Sequence, residues 1–453
     1  MQRIRSSTIF PSSKKSIMPF TKKYISKQIY EVRTGGHYVL IKKLKRPVAF
    51  IYHRFFIRVL FAIPLLPAII ILRLVRPFLL IRLCRLHSLK IGHFSANTEM
   101  YLCKKDYESH CMRTRSVDIH FHANAIVCNS QLEIMWSRLF QIWPRWIMEP
   151  LFNANRLLPG GDQHELDVRS FSGRDENSRF DNSEPHLTFT PDEEALGLRS
   201  LENMGISAKD KFVCVIFRDH AYFDSLLGPG KDLRDGYRNA SIQRFMRAAE
   251  ELAQRGYFVL RMGKVVNKPF VSSSENIIDY ANSSHKSDFM DIYLGAKCTF
   301  AVSTGTGWDG VPQIFRRPIC FVNFSPLGYF QTSHVQDLFI PKHHFSNDLQ
   351  RELSLHEIFD CGAANLLHSS SYADRNITLL ENTSKELCDI VVEMDERIQN
   401  KPHEISVAAD ELQKKFKTIF QEGIRACGLS HLHNKVRANI GAEFLRQNRW
   451  WLE

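Results

Sequence analysis

A chain of 453 residues exceeds what one hydrophobic core organises, so two domains with appendages are expected, and 44% hydrophobic with 24% charged residues excludes wholesale disorder. The net charge of +12 is unevenly placed: residues 1–90 hold nineteen Lys and Arg against one acid, Glu31, leaving −6 on residues 91–453. A nucleic-acid enzyme carries positive charge on its folded body; here it sits on a leader, which excludes nucleic acid as partner and points to an anionic membrane surface reached through residues 1–90.

Residues 1–50 are basic and polar, and from Phe55 to Leu86 the chain is intensely apolar. The longest charge-free run, Val59 to Leu72, is interrupted by Pro64 and Pro67 and falls short of the roughly 20 residues of a spanning helix. Arg73, Arg76, Arg82 and Arg85 recur among Leu, Ile and Phe, which predicts a helix or re-entrant hairpin in the headgroup layer with its arginines reaching lipid phosphates. Monotopic and single-pass attachment both remain open, and a core helix of the soluble body is the alternative. No secretory signal opens the chain. The ten cysteines include no CxxC pair, which fits a reducing compartment and the cytoplasmic face of the inner membrane.

Residues 91–205 read as a small N-terminal domain. Val117 to His122 alternates as a strand, Leu132 to Ile147 reads as a helix, and Pro159 to Pro191 as a domain boundary or mobile loop. From Lys211 strands and helices alternate: strand Phe212–Phe217, helix Ser241–Gln254, strand Tyr257–Met262 and a short strand Ile277–Tyr280. Helix Ser287–Leu294, strand Thr299–Ser303, a glycine turn, helix Trp308–Phe315 and strand Ile319–Phe324 follow. That alternation predicts an α/β domain with a parallel sheet over residues 206–345. Residues 346–453 read as a helical tail, including Glu404–Phe420.

The sharpest motif is Ser303-Thr304-Gly305-Thr306-Gly307-Trp308-Asp309-Gly310, between a strand and a helix. A glycine turn feeding a helix N-terminus favours phosphate, and Ser303, Thr304 and Thr306 offer hydroxyl donors. A tight turn without ligand is the plain alternative. The GxGxxG spacing within it does not indicate a dehydrogenase, because the next strand ends near Asn323 without an acid and the motif comes late in its domain. Gly228-Pro229-Gly230-Lys231 is followed by Asp232 and is not a P-loop.

Arg218-Asp219 and Tyr222 close the first strand of this domain. Arg218 is placed to bind a diphosphate leaving group, while Asp219 either orients that arginine, acts as base, or merely closes the loop with it. Arg238, Asn239, Arg261 and Gly263 fall at the same strand edge, and Trp308 or Tyr222 offers a ring for stacking. No DxD motif and no histidine pair with companion ligands occurs, so no metal site and no cofactor are expected.

The series Arg218-Asp219, Tyr237-Arg238-Asn239, Leu260-Arg261-Met262-Gly263, Ile278-Asp279-Tyr280-Ala281, Ser287-Asp288-Phe289-Met290-Asp291, Ser303-Thr304-Gly305-Thr306-Gly307 and Phe315-Arg316-Arg317-Pro318 resembles a family of bacterial glycosyltransferases. These are associated with surface-polysaccharide and lipopolysaccharide assembly, and the resemblance is dense over residues 211–345. It implies two Rossmann-like domains (GT-B type), with a nucleotide-sugar as substrate in the C-terminal one and a lipid-linked or glycan acceptor. The Thr299–Phe324 unit is similar to the donor-phosphate element of heptosyl- and fucosyl-type transferases, and Arg218 matches a diphosphate-binding arginine of the fucosyl type. The heptosyl pattern departs here in lacking a His after the Ser-Gly turn. A catalytically silent nucleotide- or carbohydrate-binding scaffold of an assembly complex is the rival reading.

Overall fold

The computed structural model describes residues 63–109, 116–170, 175, 179–228, 235–331, 334–399, 407–433 and 436–453. Most of the basic leader, and Pro229 to Asp232, lie outside them.

Two parallel sheets organise the molecule. The first runs in the order β3-β2-β1-β4, from β1 (Leu80–Leu86), β2 (Ser116–His122), β3 (Ile142–Trp143) and β4 (Glu165–Asp167). Helices Thr98–Ser109, Ser130–Leu139 and Arg145–Asn155 join these strands in turn. The single helix expected over Leu132–Ile147 is therefore two, parted by Ile142–Trp143 and by Pro144, which has no N–H to extend a helix across it.

The domain begins earlier than expected. Leu80–Leu86 is not a headgroup-layer hairpin but the inner strand of this sheet, in register with β2 from Leu80↔Ser116 to Leu86↔His122 and with β4 on its other side. A parallel strand covered on both faces reads as a continuous apolar run, which is why sequence pattern alone merges it with the apolar segment before it. Its arginines meet carboxylates, not lipid: Arg82 Nε lies 2.6 Å from Asp118 Oδ1, and Arg85 Nη2 lies 3.2 Å from Glu149. Only helix Leu66–Val75 keeps the expected surface character. No helix of the described residues is long and apolar enough to cross a membrane.

The second sheet has seven parallel strands in the order β14-β10-β9-β8-β5-β6-β7. They are β5 (Lys211–Ile216), β6 (Tyr257–Arg261), β7 (Ile277–Ile278), β8 (Phe300–Ser303), β9 (Ile319–Phe324), β10 (Leu338–Pro341) and β14 (Asn439–Ile440). The five strands anticipated after Lys211 thus occur within a residue or two of their expected bounds. Ser287 caps its helix as the pattern requires, its hydroxyl accepting the Met290 N–H (3.1 Å).

The C-terminal tail is not a separate helical region. It supplies edge strand β14, and helix Ser384–Ile398 carries Asp395, which accepts from Tyr257 Oη (2.7 Å) and Arg255 (3.1 Å). Strands β11 (His343–Ser346), β12 (Arg351–Glu352) and β13 (Ile377–Leu380) form a small antiparallel sheet beside it. Helix Pro191–Glu202 also joins this half. A Cβ on Gly197 would fall 2.2 Å from the Tyr293 ring, so only glycine allows that approach.

Asp118 ties the first sheet together. Its fully buried carboxylate accepts from Arg82 and from Tyr101 Oη (2.5 Å) and lies 3.0 Å from Lys105 Nζ. Burial raises its pKa, but the hydrogen bonds from Arg82 and Tyr101 and the charges of Arg82 and Lys105 outweigh burial and hold it at about 2. Asp118→Ala is expected to cost roughly 3–5 kcal/mol in urea unfolding at pH 7, because it strands buried positive charge. A carboxyl depressed in the folded state contributes fully above its ordinary pKa and is lost as pH falls through the folded value. The deficit of the variant should therefore narrow between pH 4 and pH 2.

Candidate functional site

In both halves the C-terminal strand edges face one another. The segment after β1 carries Gly92, Ser95 and Ala96 onto the glycine turn after β8. A Cβ on Gly92 would come 2.8 Å from the Gly307 carbonyl oxygen, and one on Gly310 would come 2.3 Å from Ser95 Oγ. After β2, Asn129 and Ser130 bond to Asp288, at the start of the helix that precedes β8 (2.9 Å each). The cleft therefore lies where open parallel sheets bind ligands, outside the carboxyl ends of their strands.

The turn is wired from within. Ser303 Oγ donates to Asp309 Oδ1 (2.5 Å), Thr306 Oγ1 donates to the same oxygen (2.9 Å), and the Thr306 N–H donates to Asp309 Oδ2 (2.6 Å). Thr304 Oγ1 accepts the Arg218 N–H (2.9 Å), and Ser303 Oγ accepts the Gly305 N–H (3.0 Å). The hydroxyls expected to hold phosphate thus hold the turn, because Ser303, Thr304 and Asp309 are buried and must satisfy each other. Burial lifts the Asp309 carboxyl to about 6, against the pull of Ser303, Thr306 and Arg238. Gly307 is the exposed point of the turn, with Thr306 half-buried beside it. Gly305 has φ +81°, a conformation that side chains disfavour.

Cations converge on this turn. Arg238 donates to the Gly305 carbonyl oxygen, and Arg218 Nε donates to Asn239 Oδ1 (3.2 Å). Lys342, just past β10, is 4% exposed and donates to the Asn239 carbonyl oxygen (2.5 Å). Burial lowers its pKa to about 8, with the Glu381 charge acting the other way. Sequence pattern missed Lys342, since one lysine after an apolar strand carries no signal until β10 is placed beside β9.

The other predicted residues divide. Asp219 is bound at both oxygens, accepting the Ala221 N–H (2.9 Å) and the Asn267 N–H (2.8 Å). It works as a loop clamp in this arrangement. Arg261 is 1% exposed and holds Asp279 (3.1 Å) and the Lys268 carbonyl oxygen (3.2 Å), so its guanidinium braces the strand edge and does not line the cleft. Gly263 beside it has φ +154°. Trp308 offers no stacking face: it is buried, and its indole donates to the Asp291 carbonyl oxygen (3.0 Å). Tyr222 remains exposed on helix Ala221–Leu227.

At the carboxyl ends of β1 and β4 stand His87, His93 and Asp167, which the sequence pattern did not single out. His87 Nε2 lies 2.7 Å from Asp167 Oδ1, and the two imidazole rings are 6.4 Å apart. Placing the domain boundary at residue 90 separated His93 from β1 and left β1 and His87 in the leader. Among the described residues, one group of metal-type ligands assembles: Glu99, Cys103 and His186. Arg316 already supplies a cation there, 2.7 Å from Glu99 Oε1, and joins the two halves.

No protein-family model and no curated protein matches the chain. Among solved structures it is similar to the ADP-heptose LPS heptosyltransferase II of E. coli, at 12% identity and TM-score 0.34, over 57% of this chain and 90% of that one. It is also similar to a glycosyl transferase of family 9 from Veillonella parvula, at 10% identity and TM-score 0.39, over 72% of this chain and 98% of that one.

Replacing Lys342 by Met removes a buried ammonium, so the ligand-free variant is expected to melt higher than wild type. For the nucleoside-diphosphate donor proposed below, affinity should fall at least tenfold, a charged hydrogen bond being worth about 1.5–3 kcal/mol. Titration calorimetry of the wild type should show that affinity weakening as pH rises through 8, where Lys342 loses its proton.

Proposed function

We propose that the protein is a glycosyltransferase that moves a sugar from a nucleotide-diphosphate donor to a hydroxyl of a lipid-linked or glycan acceptor. The observation that carries this reading is the convergence of Arg218, Arg238 and buried Lys342 around the Gly305 turn, at the carboxyl edge of a seven-stranded parallel sheet. Half-buried Arg218 and Arg238 and buried Lys342 concentrate positive charge here, and a diphosphate departing from a sugar is an anion that gains charge as the bond breaks. In this reading the chain's own cations, together with the Gly307 end of the turn, offset that charge, and a bound metal is not required for it. The facing edge of the first sheet then receives the acceptor.

Helix Leu66–Val75 buries Ile69 and Leu72 and presents Ile70, Ile71 and Leu74 to solvent, with Ile63 and Phe78 exposed at its two ends. Arg76 is exposed among them, and the basic leader precedes them. That combination supports peripheral attachment to an anionic bilayer, which we place at the cytoplasmic face of the cell membrane.

Two measurements test these points. Thermal-shift assays with UDP, GDP, CMP, ADP and their sugars should reveal one selective stabilisation, lost in Arg218→Ala. A well-folded sample that responds to no nucleotide would favour the binding scaffold. In flotation assays the full chain should bind vesicles containing phosphatidylserine and not neutral ones, and Leu74→Glu with Phe78→Glu should weaken that binding severalfold; equal binding in the double variant would refute a role for this face.

A further inference from the structure

Where β3 passes into helix Arg145–Asn155, five consecutive residues are exposed: Trp143, Pro144, Arg145, Trp146 and Ile147. Trp146 is 77% exposed. The helix packs Met148 and Phe152 onto Leu83 and Phe121 of the first sheet. A second stripe on it, Ile147, Leu151 and Ala154, follows the i, i+4, i+7 spacing of one helix face. Ala154 meets Ile69 of helix Leu66–Val75, with Leu65 and Leu151 packed against the pair, and Arg73 Nη2 donates to Asn155 Oδ1 (2.8 Å). Helix Leu66–Val75 covers the stripe from Leu151 onward and leaves Ile147 and Trp146 uncovered. Trp146 stands at the carboxyl edge of the sheet, because its helix follows β3 directly, whereas Phe78 stands at the amino edge, two residues before β1. One side of the first half therefore carries exposed apolar residues from one edge of its sheet to the other.

We propose that Trp146 and Ile147, flanked by Trp143 and Arg145, form a second membrane anchor that holds the carboxyl edge of the first sheet against an anionic bilayer. This rests on the peripheral attachment proposed above and adds to it an anchor on a different element. Tryptophan suits the boundary between headgroups and acyl chains, its ring being apolar and its indole N–H polar. The Arg145 side chain is 44% exposed and lies 3.9 Å from Glu149, a carboxylate that Arg85 already engages at 3.2 Å, so its guanidinium is open to a lipid phosphate. Charge selects the occupant of this surface. Residues 1–62, which lead into Ile63 at the start of the covering helix, carry fourteen Lys and Arg against Glu31. That density repels a second copy of the chain and attracts anionic lipid. Two anchors at opposite edges fix how this half lies on the bilayer, where one helix alone would leave it free to roll. They also bring the edge assigned to the acceptor to the lipid surface, so that a lipid-linked acceptor meets the cleft where its headgroup leaves the bilayer.

Tryptophan fluorescence of the full chain tests this. Vesicles of phosphatidylcholine and phosphatidylserine with brominated acyl chains should quench the wild type, and Trp146→Phe should lose a large part of that quenching while still floating with the vesicles. Trp146→Glu with Ile147→Glu, whose melting temperature should stay at that of the wild type because both side chains are exposed, should weaken flotation severalfold. The Leu74→Glu, Phe78→Glu protein, once bound at high vesicle concentration, should still be quenched at Trp146. Without lipid, acrylamide should quench Trp146 freely; protection there would show that another segment of the chain or a second copy covers the stripe, and would overturn the proposal. A wild type that floats but whose bromolipid quenching is unchanged in Trp146→Phe also overturns this anchor, and leaves attachment to helix Leu66–Val75 and the leader. A wild type that does not float at all overturns peripheral attachment and this anchor together.

Discussion

Everything at the cleft depends on two segments meeting where glycine alone leaves room. Gly92 lies against Gly307, and Gly310 lies against Ser95 and Ala96, at separations that any Cβ would violate. The contact joins a loop at the carboxyl edge of one parallel sheet to a loop at the carboxyl edge of the other, the edge at which open parallel sheets bind ligands. Arg316 reinforces the junction away from the turn. Its guanidinium reaches buried Glu99 and the Ser183 carbonyl oxygen (3.0 Å), and Glu99 also holds His186 (3.1 Å). Burial alone would lower the pKa of His186, but hydrogen bonds to Cys103, Glu99 and Asp106 raise it to about 10, so Arg316 and His186 both stand charged against that carboxylate at neutral pH.

The turn itself shows how a small motif divides its labour. Its hydroxyls and carboxylate are turned inward, so that Asp309 fixes Ser303 and Thr306 while Thr304 fixes the main chain at Arg218. A loop rigidified in this way presents its exposed glycine in one place, and the positive charge beside it comes from side chains supplied by other segments. Arg218 and Arg238 come from the loop after β5, and Lys342 comes from the end of β10. Preorganised charge of this sort acts without reorganisation as a leaving group develops.

Regular elements were readable from sequence where local chemistry and period agreed. Strands β5, β6, β8 and β9 are short apolar runs bounded by turn residues, and Ser287 and Gly256 punctuate helices as their chemistry demands. Arg218, Arg238 and Asn239, which the structure gathers at the Gly305 turn, stood out as candidates because they lie at the ends of such elements. Asp309 was visible only as part of the motif, its role as the hub of the turn hidden until the hydroxyls were seen to point at it.

By itself, the sequence determined the parallel α/β character of residues 211–324, the position of the glycine turn, and the separation of a basic leader from a mildly acidic body. These follow from interactions between residues near in the chain, or from composition. Tertiary structure alone decided that Leu80–Leu86 is an inner strand, that Trp308 is core, that residues 439–440 complete the second sheet, and that Lys342 is buried against Asn239. A buried parallel strand and an interfacial segment have the same apolar pattern, and a tryptophan or lysine reads alike whether it lines a pocket or a core. What distinguishes them is which distant segment packs against each, and that depends on contacts between residues far apart in the chain.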